Sequence, residues 1–225
     1  MRRITVLLAE DHTIVREGFR KLLELEDDFE VVGEAEDGRQ AVAMVKKLRP
    51  AVVVMDIAMP LLNGLEATRQ ILKAVPKTRI LILSAHSDGA YVKNATESGA
   101  VGFLLKQASA CVLSEGIREL NKRHTFFGQF IAKLLPERER KSLDQAGRPK
   151  PRVCHLTSRE MEVLQLIAEG KANKETAAEL GIGMKTVEKH RQHLMQKLNI
   201  HDTAGLTRYA ISAGIIESSV QLTIV

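Results

Sequence analysis

A chain of 225 residues, 44% apolar and 27% charged, has room for two modest globular domains, and no apolar run approaches the roughly 20 residues that span a membrane. Its two cysteines, Cys111 and Cys154, lie far apart without metal-ligand spacing, which argues against a disulfide framework or a zinc site. The net charge of +5 sits late in the chain: residues 1–130 hold 18 Lys and Arg against 17 Asp and Glu, residues 131–225 hold 15 against 11, and so small an excess is only weak support for a nucleic-acid partner.

The chain opens on Met1-Arg2-Arg3 and the apolar run Ile4–Leu8, too short for a signal peptide and without a small-residue cleavage site, so the cytoplasm is the expected compartment. Strand-like runs follow at Phe29–Ala35, Ala51–Met55, Arg79–Leu83 and Val101–Leu104. Helix-like stretches alternate with them at Ile14–Leu25, Arg39–Leu48, Leu65–Ala74, Tyr91–Ser98 and Ala110–Arg123. Five strands alternating with five helices predict a doubly wound parallel α/β sheet over residues 1–124, with right-handed crossovers. Residues 125–152 read as a flexible linker. Pro136–Lys141 is almost all charged, Gln145–Arg152 is basic with two prolines, and Gln129–Leu135 is expected to form a short helix ahead of them. Residues 153–218 are helical only. Thr157-Ser158-Arg159-Glu160 is a capping box that opens a helix with an apolar stripe at Val163, Leu164, Ile167 and Ala168. Short helices follow at about 173–180, 185–198 and 203–213, and 219–225 is a tail.

The run Val52-Val53-Val54-Met55-Asp56 reads as a strand buried on both faces that ends in a carboxylate. Glu10 and Asp11 follow the first strand, Ser84 ends the fourth and Lys106 follows the fifth. Taken singly, Glu10-Asp11 serves equally as a helix cap, Asp56 as a turn residue and Lys106 as a solvated lysine. At the ends of neighbouring parallel strands they converge where open α/β sheets bind ligands. Clustered carboxylates call for a cation, and this donor type suits Mg²⁺. A hydroxyl and an ammonium beside them suit phosphoryl oxygens. His12 and His86 flank the pocket and read as surface or loop residues.

Glu10-Asp11, Met55-Asp56, Met59-Pro60, Asn63-Gly64, Leu83-Ser84-Ala85 and Leu104-Leu105-Lys106 resemble the receiver domain of bacterial two-component response regulators, over nearly all of residues 3–122. The resemblance implies a flavodoxin/CheY-like sheet of order 2-1-3-4-5. It implies that Asp56 accepts a phosphoryl group from a sensor histidine kinase, with Mg²⁺ (or Mn²⁺) held by Glu10, Asp11, Asp56 and the carbonyl of Ala58. Ser84 and Lys106 would contact the phosphoryl group, and Phe103 stands at the switch aromatic position, its ring turning inward as Ser84 moves. Gln107 departs from the acidic residue of many relatives.

The segment Leu156–Ala213 resembles a LuxR-type helix-turn-helix domain of the NarL/FixJ class through Leu156–Glu160, Val163-Leu164, Ala168-Glu169-Gly170, Asn173-Lys174-Glu175, Thr186-Val187, His190, Lys197-Leu198 and Leu206. Helical spacing puts Val187, Leu194 and Leu198 on an inward seam and Lys185, Glu188, Lys189, Gln192 and Gln196 on the opposite face. The resemblance implies base contacts at Glu188, Lys189 and Gln192. Phosphate positioning is expected from Lys174, Lys185, Thr186, His190 and Arg191. Gly183 and Thr176 depart from the serine or threonine and the large aliphatic usual at their positions.

The function expected is a phosphorylation-controlled DNA-binding regulator, homodimeric when phosphorylated, with double-stranded DNA, a histidine kinase and RNA polymerase as partners. Two other classes remain. One is an aspartyl-phosphate phosphatase, against which stands Ala58 where such enzymes carry a second aspartate. The other is a regulator independent of phosphorylation.

Overall fold

The computed structural model describes residues 3–85, 89–127 and 156–216. His86, Cys154, the expected helix at Gln129–Leu135, most of the linker and the tail lie outside the described residues. Among the described residues, no helix is long and apolar enough to cross a membrane.

Two units make up the chain, divided near residue 152. In the first, β1 (Ile4–Ala9), β2 (Phe29–Ala35), β3 (Val52–Asp56), β4 (Arg79–Ser84), β5 (Gly102–Leu105) and β6 (Phe126–Phe127) form one sheet of order β2-β1-β3-β4-β5-β6, parallel throughout. The helices between them are α1 (Thr13–Glu24), α2 (Gly38–Leu48), α3 (Gly64–Ala74), α4 (Gly89–Ser98) and α5 (Ala110–Asn121). The expected five strands and their order are present, and β6 is an addition. It begins where the linker was expected to begin, and a two-residue run carries no periodicity from which a strand could be read.

Alternation along each strand divides the core into two layers. Val53, Met55, Leu7, Ile80, Ile82 and Phe103 face α2, α3 and α4. Val52, Val54, Val6, Leu8, Leu81 and Leu83 face α1 and α5, where Leu23, Leu113, Ile117 and Leu120 meet them. All five residues of β3 are buried, and each apolar one contributes roughly 1.5–3 kcal/mol. Short polar side chains start the crossover helices. Asp37 accepts from the amides of Arg39 and Gln40, and Asn63 accepts from that of Glu66. At the far edge Phe126 lies against Gly116, whose added Cβ would come 2.8 Å from the ring, so a missing side chain on α5 makes the seat for β6.

The second unit holds α6 (Ser158–Ala168), α7 (Asn173–Leu180), α8 (Met184–Leu198) and α9 (Thr203–Ser212). The capping box forms as expected: the Glu160 amide donates to Thr157 Oγ1 at 3.3 Å, and Glu160 Oε2 accepts from the Thr157 amide at 2.7 Å. That same oxygen receives Lys197 Nζ at 2.7 Å, which ties the start of α6 to the end of α8. Burial alone raises the Glu160 carboxyl; the hydrogen bonds from Lys197 and Thr157 outweigh it and hold the group below the usual carboxylate range. Val187 and Leu194 are buried, as their spacing required, and Leu198 is half-buried. Thr176, where an aliphatic was expected, is fully buried with Oγ1 lacking a hydrogen-bond partner.

Gly64 is the tightest joint of the sheet edge. A Cβ there would lie 1.9 Å from the Asp56 carbonyl oxygen and 2.9 Å from Met55 Cγ. Because the obstacle is backbone, Gly64→Ala is expected to destabilise the first unit by roughly 2–4 kcal/mol in urea unfolding.

Candidate functional site

Strand register builds the pocket. Ala9 pairs with Met55, so the next residues, Glu10 and Asp56, leave neighbouring parallel strands side by side. Both are buried. On the other flank Asp56 pairs with Leu83, which places Ser84, also buried, one step further along β4. The Lys106 amide donates to the Ser84 carbonyl at 2.8 Å and so fixes where that side chain leaves β5.

The Lys106 ammonium lies among the carboxylates: 2.9 Å from Glu10 Oε2, 3.1 Å from Oε1 and 3.0 Å from Asp56 Oδ1. Asp56 Oδ1 also accepts from the Ile57 amide at 2.8 Å. Burial and the Glu10 charge push the Asp56 carboxyl up to about 6, against the opposing pull of Lys106. For Lys106, burial favours the neutral amine, but Asp56 and Glu10 prevail and its pKa is raised.

The compact donor set for a cation is Glu10, Asp11 and His12, whose ligand atoms all lie within 4.8 Å of one another. His12, read from sequence as a surface or loop residue, is 65% exposed yet turns Nδ1 to Glu10 Oε1 at 3.0 Å and Asp11 Oδ1 at 2.9 Å. The hydrogen bond to Glu10 and the Asp11 charge raise its pKa. Glu10 Oε2 and Asp11 Oδ1 are buried, and each lies 2.9 Å from one nitrogen, Lys106 Nζ and His12 Nδ1 respectively. Hard oxygen donors on Glu10 and Asp11, with the Asp56 carboxylate sharing Lys106 with Glu10, fit a divalent cation.

The β3–α3 loop closes the pocket. Ile57 and Met59 are buried, Ala58 is half-buried, and the Gly64 amide donates to the Ile57 carbonyl at 2.8 Å. Leu61 takes a left-handed φ of 64°, which costs a side-chain-bearing residue about 1–2 kcal/mol. Phe103, expected at the switch position, is fully buried in the layer that packs against α2–α4.

Arg16 was missed. Its guanidinium is buried against the pocket wall, donating to the Glu10 carbonyl at 2.7 Å and to Glu36 Oε1 at 2.9 Å. The signal existed, since Arg16 lies seven residues before the buried Leu23 and therefore on the inward face of α1.

In the second unit, Lys174, Lys185, Thr186, Glu188, Lys189 and Gln192 are exposed, and His190 is half-buried. A shallow concavity along α8 is lined by Glu188, Arg191, Gln192, Met195, Gln196 and His201; Met195 and His201 were not anticipated. Arg191, expected at a phosphate, is half-buried and also braces the domain. It donates to Asn173 Oδ1 at 3.3 Å and to Thr203 Oγ1 at 2.6 Å, fastening α8 to the starts of α7 and α9. Gly183 begins α8 without a side-chain cap.

The raised Asp56 pKa has a stability consequence. The native state holds this proton more tightly than the unfolded chain, so the cost of ionisation is absent below about pH 4, grows as pH rises toward 6 and is complete above it, on the order of 3 kcal/mol. Without divalent cations, Asp56→Asn is expected to raise the unfolding free energy by roughly 2–3 kcal/mol near neutral pH, the gain fading toward about pH 4. Urea titrations across that range measure it.

Residues 6–118 match the response regulator receiver domain family, and residues 155–210 match the luxR family of bacterial regulatory proteins. The transcriptional regulatory protein MctR of Rhizobium johnstonii is 37% identical over 216 residues, covering 95% of this chain and 96% of its own. LiaR of Bacillus subtilis is 38% identical over 207 residues, 92% of this chain and 96% of its own. Among solved structures, RcsB from Salmonella enterica serovar Typhimurium, bound to promoter DNA in the presence of phosphomimetic BeF3-, superposes with a TM-score of 0.57 at 26% identity, covering 92% of this chain and 98% of that one. The chain therefore belongs to the LuxR family of DNA-binding two-component response regulators, a receiver domain followed by a helix-turn-helix domain.

Proposed function

We propose that Asp56 is the phosphoacceptor of this regulator and that its phosphorylation by a sensor histidine kinase controls dimerisation and DNA binding. The observation that carries the reading is the placement of Asp56, buried at the end of β3 with Lys106 Nζ at 3.0 Å and the Glu10 carboxylate on the same ammonium. With a pKa near 6, Asp56 is mostly ionised at neutral pH, as a nucleophile must be. The Ile57 amide and Lys106 both engage Oδ1, which leaves Oδ2 to attack phosphorus. The Oδ2–P bond forms as the bond from phosphorus to the donor imidazole breaks, and the leaving nitrogen takes a proton. Lys106 and the Ser84 hydroxyl hold phosphoryl oxygens. A Mg²⁺ or Mn²⁺ ion held by Glu10, Asp11, Asp56 and the Ala58 carbonyl would supply charge neutralisation. Ala58 carries no group to activate water, which supports slow loss of the phosphoryl group and a signal rather than turnover.

Readout follows β5. Lys106 and Phe103 belong to this strand and its end, and Phe103 pairs with Phe127 of β6, where the chain leaves for the DNA-binding domain. As the expected switch residue, Phe103 would respond as Ser84 moves toward the phosphoryl group. On DNA, the exposed face of α8 would enter the major groove. Glu188, Lys189 and Gln192 would meet base edges, while Lys174, Lys185, Thr186 and His190 meet phosphates, and a dimer would occupy two half-sites.

With acetyl phosphate and Mg²⁺, intact mass spectrometry is expected to show one phosphoryl group on the wild type and none on Asp56→Asn. Phosphodonor should raise the affinity of the wild type for genomic DNA fragments that it selects by roughly 5–150-fold. Equal uptake by both proteins would refute the acceptor assignment. Gln192→Ala is expected to cost about 1–3 kcal/mol and relax specificity at one base pair, whereas Lys185→Ala weakens all sequences alike; binding to a panel of single-base variants separates the two.

A further inference from the structure

We infer that Arg16 is a positioning residue for the cation pocket, acting through the peptide unit that joins Glu10 to Asp11. This deepens the phosphoacceptor reading and rests on it. The side chain of Arg16 is 7% exposed and lies at the junction of three elements. Nη1 donates to the Glu10 carbonyl at 2.7 Å, Nη2 donates to Glu36 Oε1 at 2.9 Å, and Nε faces Glu34 Oε2 at 3.4 Å. Glu34 and Glu36 flank Ala35, and the Ala35 carbonyl accepts the Glu10 amide at 3.0 Å. The backbone of Glu10 is thus held from both sides, by β2 through its N–H and by α1 through its C=O.

Peptide planarity makes this matter for the site. The Glu10 carbonyl, the Asp11 nitrogen and the Asp11 Cα share one plane, so fixing that oxygen sets the starting point of both carboxylates. These two side chains supply the carboxylate oxygens of the donor set, among them the buried Glu10 Oε2 and Asp11 Oδ1. A ligand pair is only as ordered as the groups that orient it, and loss of such a group costs roughly 10–100-fold in metal affinity. The fork of an arginine is what the geometry requires. One planar cation spans a carbonyl at one end and a carboxylate at the other, which the single nitrogen of a lysine cannot do. A guanidinium this buried is also expensive unless paired, and the two glutamates offset that cost.

The plain alternative is an ion pair that merely fastens α1 to β2. Both roles lower stability when Arg16 is changed, but only positioning changes the cation affinity of the folded protein. The test is isothermal titration of full-length protein with MgCl2, paired with thermal unfolding in chelator. Arg16→Lys keeps the charge and removes the fork; it is expected to weaken Mg²⁺ binding by roughly 10–100-fold, with phosphorylation by acetyl phosphate restored at saturating Mg²⁺. Glu36→Gln, a milder change at a solvent-facing partner, should weaken binding in the same direction and covers the case in which Arg16→Lys fails to fold. Arg20→Lys perturbs an exposed pair with the same Glu34 and should leave affinity within about twofold. If folded Arg16→Lys and Glu36→Gln both bind Mg²⁺ within about twofold of the wild type, Arg16 is structural only and the inference fails. If the wild type itself binds no Mg²⁺, the reading of the pocket fails with it.

Discussion

One ammonium group holds the receiver together at its working end. Two neighbouring parallel strands each finish in a buried carboxylate, and Lys106 lies within 3.1 Å of both. Without a cation there, Glu10 and Asp56 would repel each other inside a low-dielectric edge, and one would have to take up a proton. Even with Lys106 in place, burial keeps the Asp56 carboxyl raised. The pocket is therefore a strained electrostatic arrangement that the sheet must support, and the two apolar layers on either face of β3 supply that support. Destabilisation of this kind is common at functional sites, where the arrangement that serves chemistry is not the one that maximises stability.

The helical unit uses the same device for a different end. Glu160 is a buried carboxylate paired with a lysine, and its partners are structural: the capped end of its own helix and Lys197 at the far end of α8. Its pKa is lowered rather than raised, since hydrogen bonds outweigh burial. The pair contributes to architecture, holding α8 by its end while Val187 and Leu194 hold its inner side. Arg191 adds a second brace to α7 and α9. With the inner side and both flanks committed, the outer side of α8 is left exposed to solvent.

Most of the fold was legible. Alternating strand-like and helix-like textures, with turn glycines and prolines between them and the capping box at Thr157, placed the main elements to within a residue or two of where they form. What was not legible is instructive. β6 has two residues and forms because Gly116 leaves room for Phe126 and because the edge of β5 offers unpaired groups to Phe126 and Phe127. Neither cause is visible as a local pattern. Spacing from Leu23 puts Arg16 on the inward face of α1, but only the fold brings Glu34, Glu36 and the Glu10 carbonyl around it. His12 is similar: its neighbours in the chain are acidic, but only the turn after β1 decides that Nδ1 faces them.

What the sequence by itself determined is the class of chemistry. Carboxylates at the ends of two strands, a hydroxyl and a lysine at the ends of two others, and a capped helix set after a proline-rich segment are local statements, carried by residue type and spacing. The tertiary structure alone decided which atoms are engaged. It put Asp56 Oδ1 on Lys106 and the Ile57 amide, buried Phe103, joined Arg191 to Asn173 and Thr203 and set Arg16 behind the pocket. The physical reason is range. Propensity and periodicity act over a few residues, whereas the partners of a buried charge come from whichever strands and helices packing brings within about 3 Å of it.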